Sequence, residues 1–295
     1  MTKRRDLQGI ALFILISFVY SWSIMFVVDA WLVPMFSGQG NTAALWLTSV
    51  FGHMLAMAGP ALAAILVWRL YHKESPPPWR WSRIRFYLLI VAAMLVLWTL
   101  PTLIGMMFGN TIKFRNPIET YVWTIIAGSL AIGWLAGLGE EVGWTAYLLP
   151  RLSPHIGKFW ALVVSGIIRG LWHWPVLIGP MIAQVFAGEK TVGQLLAMSL
   201  LFIIQLAISN VFFGAVLCWI WYRTESMPLV GWFHQWFDTT REVTRLLVIG
   251  YASSLWSQYL WALPFNLIGF LALVSVAREE RSRWTNFLTF SPKNK

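Results

Sequence analysis

Glu140 and Glu141 stand side by side in the apolar run Gly139-Glu140-Glu141-Val142-Gly143-Trp144-Thr145-Ala146-Tyr147-Leu148-Leu149-Pro150. A carboxylate in hydrocarbon costs about 2.5–3.5 kcal/mol or more, so a carboxyl pair in such a segment marks a functional site. Two further groups of polar residues interrupt apolar segments. Arg169 and His173 are four residues apart, as are His234 and Asp238, and residues at that spacing share one face of a helix. Glu140 and Glu141 diverge by about 100° on a helix, so one can face a cavity while the other faces a neighbouring helix. Gly137, Gly139 and Gly143 thin that helix and let other backbones approach. Three helices can therefore aim two carboxylates, two imidazoles and an aspartate into one pocket. Such a set can activate water, move a proton and steady a developing negative charge. Two histidines and a glutamate (Glu140, His173 and His234) also match the ligand count of a catalytic zinc site. No His-Glu-x-x-His motif is present, however, and a cation at Arg169 beside the glutamates lessens the need for a metal. The expectation is water activated without a metal, with zinc as the competing account.

The elements that must position these residues are membrane helices. Of 295 residues, 58% are hydrophobic and only 12% charged, with mean hydropathy +0.64, whereas soluble domains carry about 25% charged residues. A spanning helix needs about 20 apolar residues. Eight such stretches are expected, at 9–28, 44–67, 86–108, 121–149, 157–179, 194–221, 228–249 and 254–276. The predicted fold class is all-α, a polytopic membrane helical bundle forming one transmembrane domain over 1–295. The first stretch is too long, and too poor in small residues for cleavage, to be a removed signal peptide.

The net charge of +10 follows the membrane rather than a nucleic acid. With both termini in the cytosol, Lys and Arg concentrate in cytosolic segments (Lys3, Arg4, Arg5, Arg69, Lys73, Arg80, Arg83, Arg85, Arg151, Lys158, Arg223 and the C-terminal tail). Only Lys113, Arg115 and Lys190 fall in outer loops. That asymmetry is the positive-inside bias of a multi-pass protein of the plasma (inner) membrane. Cys218 is the only cysteine, which excludes an intrachain disulfide and a cysteine metal site. His53 reads as a hydrogen-bonded core histidine, His155 as a solvated loop residue and Asp29 as an interfacial residue without a role. The segment Ser75-Pro76-Pro77-Pro78-Trp79-Arg80-Trp81 reads as a stiff tether at the headgroups.

With these motifs on the page, the chain resembles the CPBP (Abi) family of intramembrane proteases, which includes the type II CAAX prenyl endopeptidases. The family's Glu-Glu-x-x-x-Arg motif and its flank correspond to Glu140-Glu141-Val142-Gly143-Trp144-Thr145 and Tyr147-Leu148-Leu149-Pro150-Arg151-Leu152. Its Phe-x-x-x-His corresponds to Arg169-Gly170-Leu171-Trp172-His173, and its His-x-x-x-Asn/Asp to His234-Gln235-Trp236-Phe237-Asp238. The resemblance covers about residues 120–240.

It implies hydrolysis of a peptide bond in a membrane-associated peptide or protein, without a cofactor. Glu140 would be the general base. His173 would orient the water and protonate the leaving amine, and His234 with Asp238 would hold the oxyanion. An ionised Asp238 would orient His234 instead. Two positions depart from the pattern: the family's arginine is Thr145 here, and its phenylalanine is Arg169. If Arg169 projects from the neighbouring helix towards Glu141, it replaces the missing guanidinium across the interface. If not, Thr145 marks a weakened member that acts as a scaffold. A transporter with a buried Glu pair is the reading from another class, although the sequence holds no inverted repeat.

Overall fold

A computed structural model describes residues 3–40, 42–77, 79–107, 113–114, 133–249 and 255–289. Over these residues the chain is helical. α1 (Lys3–Val27) passes through a π-helical turn, Val28–Leu32, into α2 (Val33–Gly38). α3 (Thr42–Met57) and α4 (Gly59–Leu66) meet at a break next to Pro60, and α4 runs on through a π-helical turn, Val67–His72. After an irregular connector come α5 (Ile84–Met107) and α6 (133–141). A third π-helical segment, Val142–Leu148, joins α6 to α7 (Leu149–Trp172), which is followed by α8 (Trp174–Phe186), α9 (Val192–Thr224), α10 (Met227–Leu247) and α11 (Leu255–Thr289). A two-residue antiparallel pairing of Lys113–Phe114 with Val248–Ile249 is the only strand contact among the described residues.

Four helical stretches are long and apolar enough to cross a membrane: Arg4–Gly38, Phe51–His72, Gly133–Phe186 and Val192–Thr224; Ile84–Leu100 is apolar but shorter. The outer face of α9 shows why these helices suit lipid. Leu196, Leu200, Ile204 and Ile208 recur every fourth residue and each is at least 50% exposed, an apolar stripe that would be a liability in water. Its inner face buries Phe213, Leu217 and Ile220 in a core shared with Phe13, Trp68, Trp144, Tyr147, Leu162, Trp172 and Val230.

The described helices depart from the expected spans in two respects. Residues 150–156, expected as a loop, are helical, so the stretches at 121–149 and 157–179 run together, interrupted at Gly157. α5, α10 and α11, which cover the expected spans at 86–108, 228–249 and 254–276, are helical but not among the four stretches; α10 carries His234, Gln235, Asp238 and Arg241. Residues 121–132 and 254, at the starts of two expected spans, lie outside the described residues, as does the side chain of Arg245.

Helix ends follow local chemistry. Thr191 and Gln194 form a reciprocal capping box at the start of α9, which satisfies two free backbone donors. α7 stops at His173 because Pro175 follows: proline disfavours helical backbone in the residue before it and suits the first turn of a new helix.

Close backbone contact sets the distance between α6 and α10. A Cβ at Gly137 would lie 2.8 Å from the Gly231 carbonyl oxygen and 3.4 Å from His234 Cβ. Glycine there lets α10 approach until His234 reaches the glutamates. On the other side, Gly139 and Gly143 meet the Met57 carbonyl and Pro60. Gly137→Val should therefore force the helices apart and destabilise the protein by about 1–3 kcal/mol, the usual range for overpacking. Thermal unfolding in detergent checks this, and an unchanged midpoint would mean that the contact is not tight.

Candidate active site

Glu140, Glu141, Arg169 and His173 are held by a helix end or a break, and His234 and Asp238 by the interior of a helix. Glu140 and Glu141 lie where α6 passes into the π-helical segment Val142–Leu148, all seven residues of which are buried. π-helical turns are rare and recur at functional sites, because they re-aim side chains relative to a regular helix. Arg169 lies in the last turn of α7 and His173 at the α7–α8 break. His234 and Asp238 share a face in the middle of α10.

The structure brings these side chains together. Glu141 is fully buried at the centre. Its Oε1 accepts a hydrogen bond from His234 Nδ1 at 2.7 Å. Its Oε2 accepts one from Arg169 Nη2 at 3.0 Å and another from the Thr145 hydroxyl. Arg169 Nη2 also lies 3.5 Å from Thr145 Oγ1. Arg169 therefore enters from α7 beside Thr145, the position where the resemblance calls for an arginine. Its guanidinium is 1% exposed and sits 5.7 Å from the centre of the Phe213 ring.

His234 is held at both ends. Nδ1 meets Glu141, and Nε2 lies 3.3 Å from Asp238 Oδ2, while Asp238 Oδ1 accepts from Arg241 Nη2 at 3.1 Å. With both carboxylates ionised, His234 donates from both nitrogens. In that state Asp238 accepts from His234 and from Arg241, which is one of the two roles expected of it.

Glu140 differs from its neighbour. It is 1% exposed, and its Oε2 has no hydrogen-bond partner among the described residues. His173 Nε2 lies 3.9 Å from that oxygen. The other nitrogen, Nδ1, donates to the Arg169 carbonyl at 2.8 Å. This contact leaves the Nε2 lone pair of a neutral ring turned towards Glu140, and the ring is about 29% exposed on that side of the site. Glu140, Glu141 and His234 each bring one donor atom within 4.8 Å of the others. That group differs from the expected zinc set, since Glu141 takes the place of His173.

Three residues set aside on sequence grounds have different surroundings from those expected. Asp29 is buried, not interfacial, and pairs with His53 Nε2 at 3.0 Å. His53 is hydrogen-bonded, as read, but to a carboxylate. His155 is not solvated: its side chain is largely buried and faces Asp6 at 3.7 Å. Around it, Arg151 bridges Asp6 at 2.7 Å and Glu74, joining the start of α1 to the start of α7. This cluster was missed because its members are distant in sequence. Asp6 and Glu74 flank apolar spans where charges are ordinary.

A buried carboxylate oxygen set beside a histidine nitrogen is an arrangement able to take a proton from water. Residues 121–240 match the family described as Type II CAAX prenyl endopeptidase, Rce1-like. The matched stretch contains every site residue from Glu140 to Asp238. No curated protein matches the chain.

Proposed function

We propose that the protein is an intramembrane endopeptidase of the CAAX type, cleaving a peptide bond of a membrane-associated substrate with water activated by Glu140. The observation that carries this reading is the buried, unpartnered Glu140 Oε2 set 3.9 Å from His173 Nε2. Two acceptors at that separation suit one water that donates to both at about 2.8 Å. Glu140 takes a proton as the water oxygen attacks the scissile carbonyl carbon. The C–N bond then breaks as the proton held by Glu140 passes by way of His173 Nε2 to the departing nitrogen, and the second water proton moves from the new carboxylic acid to the amine, leaving a carboxylate and an ammonium. His234 Nε2–H becomes a donor to the oxyanion only as it turns from Asp238, with Glu141 holding the ring through Nδ1. Such donors are worth about 3–4 kcal/mol each. Arg169 keeps Glu141 compensated, so only one carboxylate of the pair is free for chemistry.

A zinc ion held by Glu140, His173 and His234 fits poorly. His173 has a nitrogen to offer, but His234 has none unless it gives up Glu141 or Asp238. The proposed mechanism therefore runs through no metal. The alternative of a weakened scaffold rests on Thr145, and the Arg169 contact weighs against it. The same reading takes eight spans with both termini cytosolic, in the plasma membrane, and a substrate with a lipid-embedded end.

The test is cleavage of a lipidated peptide by the purified protein in bilayer nanodiscs, with and without phenanthroline. Turnover unchanged by the chelator is expected. Loss of turnover that returns on adding Zn²⁺ would overturn the metal-free mechanism, and absence of any turnover would favour the scaffold.

A further inference from the structure

α11 lies beyond the matched residues 121–240, yet it reaches the helix that carries Arg169 and His173. Gly157 interrupts α7 with φ +80° and ψ 162°, so the helix starts afresh at Lys158 and its first amides have no partner within the helix. Glu280 of α11 supplies one. The Lys158 amide donates to Glu280 Oε1 at 3.0 Å, and the Phe159 amide donates to Oε2 at 2.9 Å. A carboxylate is favoured at a helix N-terminus by the free N–H groups and the helix dipole. The approach is close: a Cβ at Gly157 would stand 2.2 Å from Glu280 Oε1. Next to it, Glu279 pairs with Arg223 at the end of α9, and Lys158 Nζ lies 4.5 Å from the centre of the Tyr222 ring.

We propose that Glu280 is a positioning residue of the active site: by capping the helix that restarts after Gly157, it fixes the axial position of that helix and hence of Arg169 and His173 against the glutamates. Fifteen residues separate Lys158 from His173, so a shift or fraying of the first turn is carried along the helix axis to the His173–Glu140 gap. That gap is already 3.9 Å, wide enough that a small additional displacement breaks a shared water contact. Two carboxylates of α11 hold neighbouring helices: Glu280 meets backbone amides and Glu279 meets the Arg223 side chain. Glu279 and Arg223 are about half exposed, and exposed pairs of that kind contribute little.

The inference rests on the proposed peptidase reading for its kinetic half, and its structural half stands separately. Full-length wild type, Glu280→Gln, Glu280→Asp and Glu279→Gln are compared in nanodiscs by peptide turnover and by hydrogen exchange of the 157–166 segment. Glu280→Gln should speed exchange of the Lys158 and Phe159 amides and lower kcat roughly tenfold with KM unchanged, since misplacement by about 1 Å can cost about 100-fold. Glu280→Asp should recover part of both, and Glu279→Gln should alter neither. Unchanged exchange in Glu280→Gln, or a kcat within twofold of wild type, overturns the proposal. If Glu280→Gln does not fold, the wild-type exchange decides: fast exchange at Lys158 and Phe159 refutes the cap. If no variant, wild type included, cleaves peptide, the peptidase reading fails while the exchange comparison still judges the cap.

Discussion

Glu140→Gln should abolish peptide cleavage while leaving the protein folded. Losing a general base typically costs 10²–10⁴-fold, and here the loss should sit at the upper end, because no second free carboxylate is at hand. Glu141 cannot take over: one of its oxygens accepts from His234 and the other from Arg169 and Thr145. The carboxamide is nearly isosteric, and Glu140 Oε2 makes no hydrogen bond among the described residues, so the unfolding midpoint should move little. Glu141→Gln should behave oppositely, lowering stability together with activity, because the amide keeps one acceptor oxygen and turns an NH2 donor onto either Arg169 or His234. Parallel turnover and thermal unfolding measurements separate the two. A Glu140→Gln protein that cleaves at more than about a tenth of the wild-type rate would assign the base to another residue.

Arg169→Phe is the second large effect. It restores the aromatic residue that the family pattern carries at this position but removes the only guanidinium that contacts Glu141 among the described residues. Breaking a buried ion pair by deleting one partner typically costs about 3–5 kcal/mol. A drop of that size in unfolding free energy is expected, with activity falling as His234 loses its fixed acceptor. Thr145→Arg added to Arg169→Phe should regain part of both, since Thr145 Oγ1 already lies 3.5 Å from Arg169 Nη2 and bonds the same Glu141 oxygen. The coupling between the two substitutions is the quantity of interest. If the double variant is no more stable or active than Arg169→Phe alone, the two departures from the pattern are unrelated.

The arithmetic of these residues explains how much of the site could be read in advance. Spacing of four placed Arg169 with His173 and His234 with Asp238. The rarity of charge in apolar segments then made the glutamates stand out without any coordinates. The loss of an arginine at Thr145 and the gain of one at Arg169 were legible as a pair because both deviations fell inside one motif set. Depth was harder. A regular helix starting near Gly157 puts His173 roughly 20 Å along its axis, deeper than Glu140 at roughly 13 Å on its own span. The 3.9 Å approach of the two depends on how α7 lies against α6, which pattern alone does not encode. The π-helical segments were invisible for a related reason: a single inserted residue leaves an apolar run looking apolar. Asp29 with His53, and Asp6 with Arg151, Glu74 and His155, escaped because pairing across 24 or more residues has no periodic signature. Glu280 was passed over as one of many charges in a basic tail. The clue available was Gly157, a residue able to take positive φ at the start of the very helix that carries the site.

The account stands or falls on where the oxygen of the new carboxylate comes from and which residue delivers it. A lipidated peptide incubated with purified wild type in H₂¹⁸O should yield an N-terminal fragment carrying one ¹⁸O at its new carboxylate, with phenanthroline present or absent. The Glu140→Gln protein should yield none. Labelled product from Glu140→Gln at the wild-type rate, or intact peptide with the wild type, would contradict it.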